Sequence, residues 1–362
     1  MRILISILLI TLLSASFGKI SDEWPMFRNN VAHSGSTTNP APRELTNLKW
    51  KFKTNGGVNS SAAVSNGIVY FGSWDHYLYA LDVNSGRKKW KFKTEGGIKS
   101  SPGFANGMIY FGSNDNYFYA LKANTGQEKW KYKGTDWICS SPTISNGIVF
   151  FGTDEHYLYA LDSSNGREKW KFKTGDKVSS SPAISKGLVF FGSDDHFLYA
   201  VNIKTGQEKW RFKAGDKVIS SPAISSGLLF FGCEDHNLYA LDMFSGEEKW
   251  KFRAEGGIIS SPAILNGIVF FGSEDHNLYA VDFYTGEEKW RFSAGSGVNS
   301  SPAIANGMVF FGCGDHYLYV LDVNTGKVQW KFKTEGEIMS SPAISNGMVL
   351  FGSNDQYFYA LE

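Results

Sequence analysis

Residues Tyr77–Trp90 read YLYALDVNSGRKKW, and the chain returns to this stretch every forty residues. YFYALKANTGQEKW ends at Trp130, YLYALDSSNGREKW at Trp170, FLYAVNIKTGQEKW at Trp210, NLYALDMFSGEEKW at Trp250, NLYAVDFYTGEEKW at Trp290 and YLYVLDVNTGKVQW at Trp330. Tyr357–Glu362 repeats only the opening, YFYALE, and the Trp this copy lacks stands at Trp50 in LKWKFKT, near the other end of the sequence. A fixed period of this length belongs to propellers and solenoids, whose repeats are each too small to bury their own apolar face alone.

One period, Val58–Thr94, divides at its turn residues. VNSSAAV runs to Ser65-Asn66-Gly67, a tight-hairpin signal. GIVYFG runs to Ser73-Trp74-Asp75-His76, YLYALD to Asn84-Ser85-Gly86, and KKWKFKT closes the unit. This makes four short strands and three turns, with no helical period. IVYFG and YLYAL are apolar at every position, as strands covered on both faces are. In the fourth strand Trp90 and Phe92 alternate with Lys89, Lys91 and Lys93, which marks a half-exposed edge where lysines discourage further pairing. The first strand carries Ser-Ser-Pro in seven copies and Ser60-Ser61-Ala62 in one. Proline has no N–H to give a ladder, so this strand also belongs on an edge. Sheets with one narrow and one broad edge pack radially, narrow edge to the axis.

The sequence therefore predicts an all-β, eight-bladed β-propeller of four-stranded antiparallel blades. Ser-Ser begins recur from Ser60 to Ser340, eight in all. The last blade is expected to join an N-terminal strand, residues 48–54, to C-terminal strands within 338–362. A linear solenoid would need polar caps, and here both ends are repeat-like. Residues 19–47 lack the repeat and read as an irregular leader that packs Trp24 and Phe27 against the body; 48–362 is the propeller.

Residues 1–18 read as a secretory signal: Arg2, an apolar run Ile3–Leu13, then the small residues Ser14–Gly18. The run is too short to span a bilayer and no second one follows, so no transmembrane segment is expected after its removal. No Cys follows the run, so no lipoprotein anchor is expected, and the protein is placed outside the cytoplasm, in a periplasm or at the cell surface. Net charge is +1, from 36 basic and 35 acidic side chains. That balance excludes the basic surplus of a nucleic-acid-binding domain. Cys139, Cys233 and Cys313 each stand where at least one other copy carries a small residue; Cys233 and Cys313 lie two blades apart and cannot bridge. All three are read as small buried thiols.

The motif Ala80-Leu81-Asp82, Gly86, Trp90 and its forty-residue equivalents resembles the PQQ-type propeller repeat family. That resemblance implies eight blades docked through the Ala, Gly and Trp, and so assigns Trp50, Trp90, Trp130, Trp170, Trp210, Trp250, Trp290 and Trp330 to blade packing. It points to two branches. Quinoprotein dehydrogenases hold pyrroloquinoline quinone and Ca²⁺ over the axis, often with adjacent cysteines; this chain has no Cys-Cys pair and no inserted loops. BamB-like outer-membrane assembly factors are scaffolds without an enzymatic role, and the uniform blades are closest to these in character.

Other patterns invite chemistry. Asp75-His76 and its equivalents at 195–196, 235–236, 275–276 and 315–316, with Glu155-His156, fall in the turn between strands two and three. Each His sits on its own blade, too far from the next to share a metal at the required distance of about 2 Å; an Asp that caps its turn explains the pattern. The repeated Ser-Ser lacks the base and orienting group a nucleophile needs, and buried hydroxyls bonded to backbone explain it. Asn59-Ser60-Ser61 and Asn299-Ser300-Ser301 match the glycosylation sequon but lie in the innermost strand.

Positions where the copies disagree are freer to serve function. On the face formed by the link into strand one and the turn after strand two, Trp74, Trp137, Lys99, Lys177, Lys217 and Glu337 break the pattern and form a candidate ligand face at the channel mouth. On the opposite face, Met243, Phe244, Phe283 and Tyr284 replace polar turn residues on adjacent blades and form a candidate partner-binding patch. The expectation is a monomeric, exported, non-catalytic scaffold that binds a protein and needs no cofactor. The alternative is a quinone- or small-ligand-binding protein using the Trp74/Trp137 face.

Overall fold

The structure is a computed structural model and describes residues 23–42 and 47–362. The signal assigned to 1–18 lies outside the described residues. The described propeller contains eight four-stranded antiparallel sheets. In blade one the strands are Ala63–Ser65, Ile68–Gly72, Tyr77–Asp82 and Lys88–Lys93, from axis to rim. Six further blades repeat this at forty-residue intervals. The eighth joins Leu48–Lys53 to Tyr357–Leu361, Met348–Gly352 and Ala343–Ser345. No helix among the described residues is long and apolar enough to cross a membrane.

The innermost strand differs from the sequence expectation. Only three residues pair, Gly103–Ala105 in blade two for example, and Ser100, Ser101 and Pro102 precede the ladder. Proline's missing N–H places it outside the paired stretch. The serines instead close the ring. The backbone N–H of Ser61 donates to Ser101 Oγ at 3.0 Å, Ser101 to Ser141, Ser141 to Ser181, Ser181 to Ser221, Ser221 to Ser261, Ser261 to Ser301 and Ser301 to Ser341. Ser341 N–H returns to Ser61 Oγ at 2.9 Å. The preceding serine of the pair accepts locally, as where Gly72 N–H donates to Ser60 Oγ, but in six of the eight pairs its hydroxyl donates to the next blade, as from Ser60 to Ser100 C=O at 3.1 Å.

The second and third strands are buried on both faces, and aromatic rings from neighbouring blades meet between them; Phe71 stacks on Phe358 with centroids 4.0 Å apart. The outer strand buries Trp and Phe in part and exposes its lysines. Docking between blades runs through the Trp. Trp50 Nε1–H donates to Val83 C=O of the next blade at 3.0 Å, and its ring covers Gly86. Gly86 has φ +67°, and a Cβ there would stand 2.6 Å from the indole, so only glycine satisfies both the turn and the ring. The same Nε1 bond recurs from Trp90 to Trp290. Trp330 Nε1 has no partner among the described residues.

The leader does more than pack against the body. It lies in the axial channel on the side of the Asn66-Gly67 turns. Backbone N–H groups of six inner strands, at Val64, Phe104, Ile184, Ile224, Ile264 and Ile304, donate to the carbonyls of Trp24, Pro25, Val31, Ala32, Ser34 and Gly35. Trp24 is buried as expected; Phe27 is only half-buried, because it reaches the far side of the plug. Arg28 is 2% exposed and its guanidinium donates to Pro262 C=O at 2.7 Å and to Pro302 C=O. Burial lowers its pKa to about 9, so it remains charged at neutral pH. His33 is equally enclosed, with Nε2 3.2 Å from Thr143 Oγ1.

Candidate functional site

With one end of the channel filled, the other forms a funnel of about 400 Å³. Its geometry follows from the chain's direction of travel. Each link enters the channel wall extended, so residues two apart share a face. The inward positions are the serine ring (Ser61 and its equivalents) and, one step outward, the variable ring that begins at Asn59. Phe27 of the leader lines the floor. The variable ring has two characters. Asn59, Lys99, Cys139 and Ser179 make a polar arc on blades one to four. Ile219 and Ile259 make an aliphatic arc beyond it, and Asn299 and Met339 complete the circle.

Above this, on blades one to four, stand Trp74, Asn114, Asp154 and Asp194 from the strand-two turns, with Trp137 and Lys177 from the links. Trp74 and Trp137 both line the funnel and are 41% and 48% exposed. Gly97 allows Trp74 to lie against the neighbouring link, since a Cβ there would sit 2.6 Å from the indole. Lys177 Nζ is 3.0 Å from Asp154 Oδ2, and that carboxylate raises the lysine's pKa. Lys217 approaches Asp194 at 4.0 Å. Burial pushes the Asp194 carboxyl above its ordinary range, against the pull of Lys217.

The structure therefore brings four of the six residues assigned to this face, Trp74, Trp137, Lys99 and Lys177, onto one wall. Lys217 stands behind Asp194, and Glu337 accepts from Asn354 Nδ2–H at 3.1 Å outside the funnel lining. Sequence reading missed Cys139, Asp154, Asp194, Asn59 and Asn299. The signal was present: these are the variable positions at the same two offsets, two residues before the second Ser and at the start of the Asp-His turn. Among the described residues, Asn59 Oδ1, Asn299 Oδ1 and Asp194 Oδ1 are buried acceptors without a hydrogen-bond partner.

On the opposite face the four-residue patch is corrected. Met243 and Phe283 are 2% and 3% exposed. They occupy the position of Val83, whose carbonyl receives the neighbouring Trp, and their side chains sit in the core; Phe283 meets Phe230 at 4.9 Å. The position is buried on the seven blades that carry it, so a large residue there fills the interblade seam. Phe244 and Tyr284, 61% and 72% exposed, remain as the surface part.

The reading of three buried thiols also changes. Cys139, Cys233 and Cys313 are all free, but Cys139 is only half-buried and opens onto the funnel. Burial pushes its thiol up to about 11, and Cys233 and Cys313 up to about 12, so none is a ready thiolate.

The Asp-His turns have a backbone explanation. Asp75 Oδ2 accepts from Asn55 N–H of the preceding link at 2.9 Å and from Tyr79 O–H at 2.7 Å, while Oδ1 accepts from Tyr77 N–H. His76 has φ 70°, and so do its equivalents, Asn116 and Gln356 included. The pattern selects residues that tolerate the left-handed region. Among the described residues no group of three or more His, Cys, Asp or Glu is placed to hold a metal ion.

Fold and channel together define a class: an eight-bladed β-propeller closed by its own termini, plugged at one end and open at the other. The family model described as outer membrane protein assembly factor BamB matches residues 41–138, 135–234, 215–305 and 279–362, and the chain belongs to this BamB-like, PQQ-type propeller repeat family. It is similar in fold to the crystal structure of BamB from Moraxella catarrhalis: TM-score 0.77, 17% identity, 87% of this chain and 99% of that one. It is as similar to a europium-containing methanol dehydrogenase (TM-score 0.79, 16% identity, 93% and 89% covered). Quinohemoprotein alcohol dehydrogenase from Comamonas testosteroni gives TM-score 0.80 at 15% identity, over 94% of this chain and 80% of that one. No curated protein matches the chain by sequence.

Proposed function

We propose that this protein is an exported, non-catalytic propeller scaffold that binds another protein, in a role akin to outer-membrane protein assembly. The observation that carries this reading is the pair Phe244 and Tyr284. Both project, largely exposed, from the same turn of adjacent blades. The other full blades place Asn84, Asn124, Ser164, Lys204 and Asn324 there. Exposed aromatics at the same turn tip of adjacent blades offer apolar area that a partner could cover. The groups that could do chemistry are otherwise occupied: the serines in ring hydrogen bonds, the thiols protonated. The test is site-specific photo-crosslinking in the producing cell. A photoreactive residue at position 244 or 284 should give one discrete adduct that the same residue at 84 or 324 does not. Identical adducts at all four positions, or none, would sink the patch.

A second reading, a quinone or other small ligand bound over the axis, is favoured by the exposed tryptophans that converge on the funnel. Titration with pyrroloquinoline quinone and Ca²⁺, followed by tryptophan fluorescence and dye reduction, tests it; a flat titration removes the quinone.

A further inference from the structure

We propose that the funnel is a binding site for a neutral carbohydrate, one or two sugar rings in size. This rests on the small-ligand reading of that face and is independent of the scaffold reading. Three observations converge on it, and each constrains the ligand differently.

The first is the pair of indoles. Trp74 and Trp137 are the only tryptophans of the repeat region outside the docking position. Neither forms an aromatic pair with another ring among the described residues, and both face a concave space rather than open solvent. A flat, exposed aromatic in a cavity offers its face to the C–H side of a ring-shaped ligand. The second is hydrogen-bonding capacity. Asn59 Oδ1, Asn299 Oδ1 and Asp194 Oδ1 are buried acceptors with no donor among the described residues, and such groups are costly to leave unmade. They call for a ligand that donates. Lys99 stands next to Asn59 on the polar arc and, unlike Lys177 and Lys217, has no ion-pair partner among the described residues, so it calls for a ligand that accepts. A hydroxyl does both.

The third is charge. Lys177 is matched by Asp154, and Lys217 stands against Asp194. Lys99 is then the one lysine of the three without a matched carboxylate among the described residues, while Asn59 Oδ1 and Asn299 Oδ1 on the same funnel wall lack donors. A polycarboxylate would meet more acceptors than donors on this wall, whereas a polyol satisfies both sets. The aliphatic arc of Ile219 and Ile259 closes the opposite side against the remaining C–H edge of the ring. The volume, about 400 Å³, lies at the small end of the range for small-molecule sites, roughly 300–1,000 Å³.

The experiment is calorimetry and tryptophan fluorescence on the full protein. The probes are glucose, mannose, N-acetylglucosamine and their β-1,4 dimers, each to about 20 mM, which reaches weak millimolar affinity. Pyrroloquinoline quinone with Ca²⁺ is run in parallel. Saturable binding of at least one sugar is expected, weakened about three- to tenfold by Trp137→Ala or Trp74→Ala and by Lys99→Met, but not by Asn84→Ala on the other face. A second readout needs no variant. The bound sugar should slow alkylation of Cys139 by iodoacetamide in the wild-type protein, and Cys139 is the one cysteine at the funnel. Sugar binding that leaves Cys139 alkylation unchanged, or that all three funnel variants retain in full, overturns the proposal. Quinone binding without sugar binding overturns it while the small-ligand reading stands. Silence from every probe overturns both.

Discussion

At the scale of the residue, conformation and burial decide roles that composition leaves open. His236 looks like half of an acid–histidine pair, yet what its position selects is a backbone at φ 73°. Glycine takes that region freely, and a β-branched residue does not. His236→Gly should therefore be within about 0.5 kcal/mol of wild type, and His236→Val should lose about 1–3 kcal/mol in urea denaturation. A ligand role for the histidine would reverse that order. His33 couples stability to pH. Burial first, then the charge of Arg28, holds its pKa near 3, with a hydrogen bond from the imidazole to the Pro222 backbone carbonyl working the other way. In the unfolded chain it titrates near 6.5. The native state thus binds fewer protons than the unfolded state between those values, and stability falls as pH drops from about 6.5 towards 3, by up to about 1.4 kcal/mol per unit. Above 6.5 this contribution is complete. His33→Gln should flatten the acid limb of a stability–pH curve relative to wild type, which separates it from carboxylates that titrate in the same range.

At the scale of the element, the strands that matter most to the axis are the shortest. Each inner strand pairs over three residues, but the Ser-Ser step before it is tied to the next blade. Ser221→Ala removes the acceptor of Ser181 N–H and leaves a buried donor bare, at a cost of about 1–3 kcal/mol. Ser164→Ala, in an exposed turn, should cost less than about 1 kcal/mol. Equal midpoints for the two variants in chemical denaturation would show the ring bonds to be incidental. Strand number, order and the composite eighth blade were legible in the sequence because period, turn residues and alternation all agree over the repeats. Two things were not. The patch at Met243 and Phe283 was misread because a turn residue beside Gly246 or Gly286 looks solvated, and only the neighbouring blade's Trp shows that the position is a seam. The plug was hidden because 23–42 has no period: its partners are backbone groups of seven blades, and a backbone hydrogen bond leaves no residue-type signature.

At the scale of the whole molecule, two devices hold the ring, and they predict different failures. Leu48–Lys53 pairs with Tyr357–Leu361, so the eighth blade exists only when both ends of the propeller meet. The leader, by contrast, joins blades that are already complete. It accepts from six inner strands, and Asn39 and Arg28 reach three more carbonyls, at Ile344, Pro262 and Pro302. Each of those amides would otherwise face the channel. Water can enter a channel opened at both ends, so deletion of residues 19–42 converts buried backbone bonds into hydrated ones without breaking a sheet. Global unfolding should stay cooperative with a lower midpoint, while the amides of Val64, Phe104, Ile184, Ile224, Ile264 and Ile304 exchange with solvent far faster than in the full chain. Amides in the second and third strands of the same blades, Phe190 and Tyr199 for example, should keep their protection relative to the global stability. The funnel floor would go with the plug, because Phe27 supplies it. Hydrogen exchange resolved by peptide measures all three at once. Uniform loss of protection across every strand would mean that the leader is part of the fold's nucleus; no change at the six amides would mean that the leader does not occupy the channel in solution.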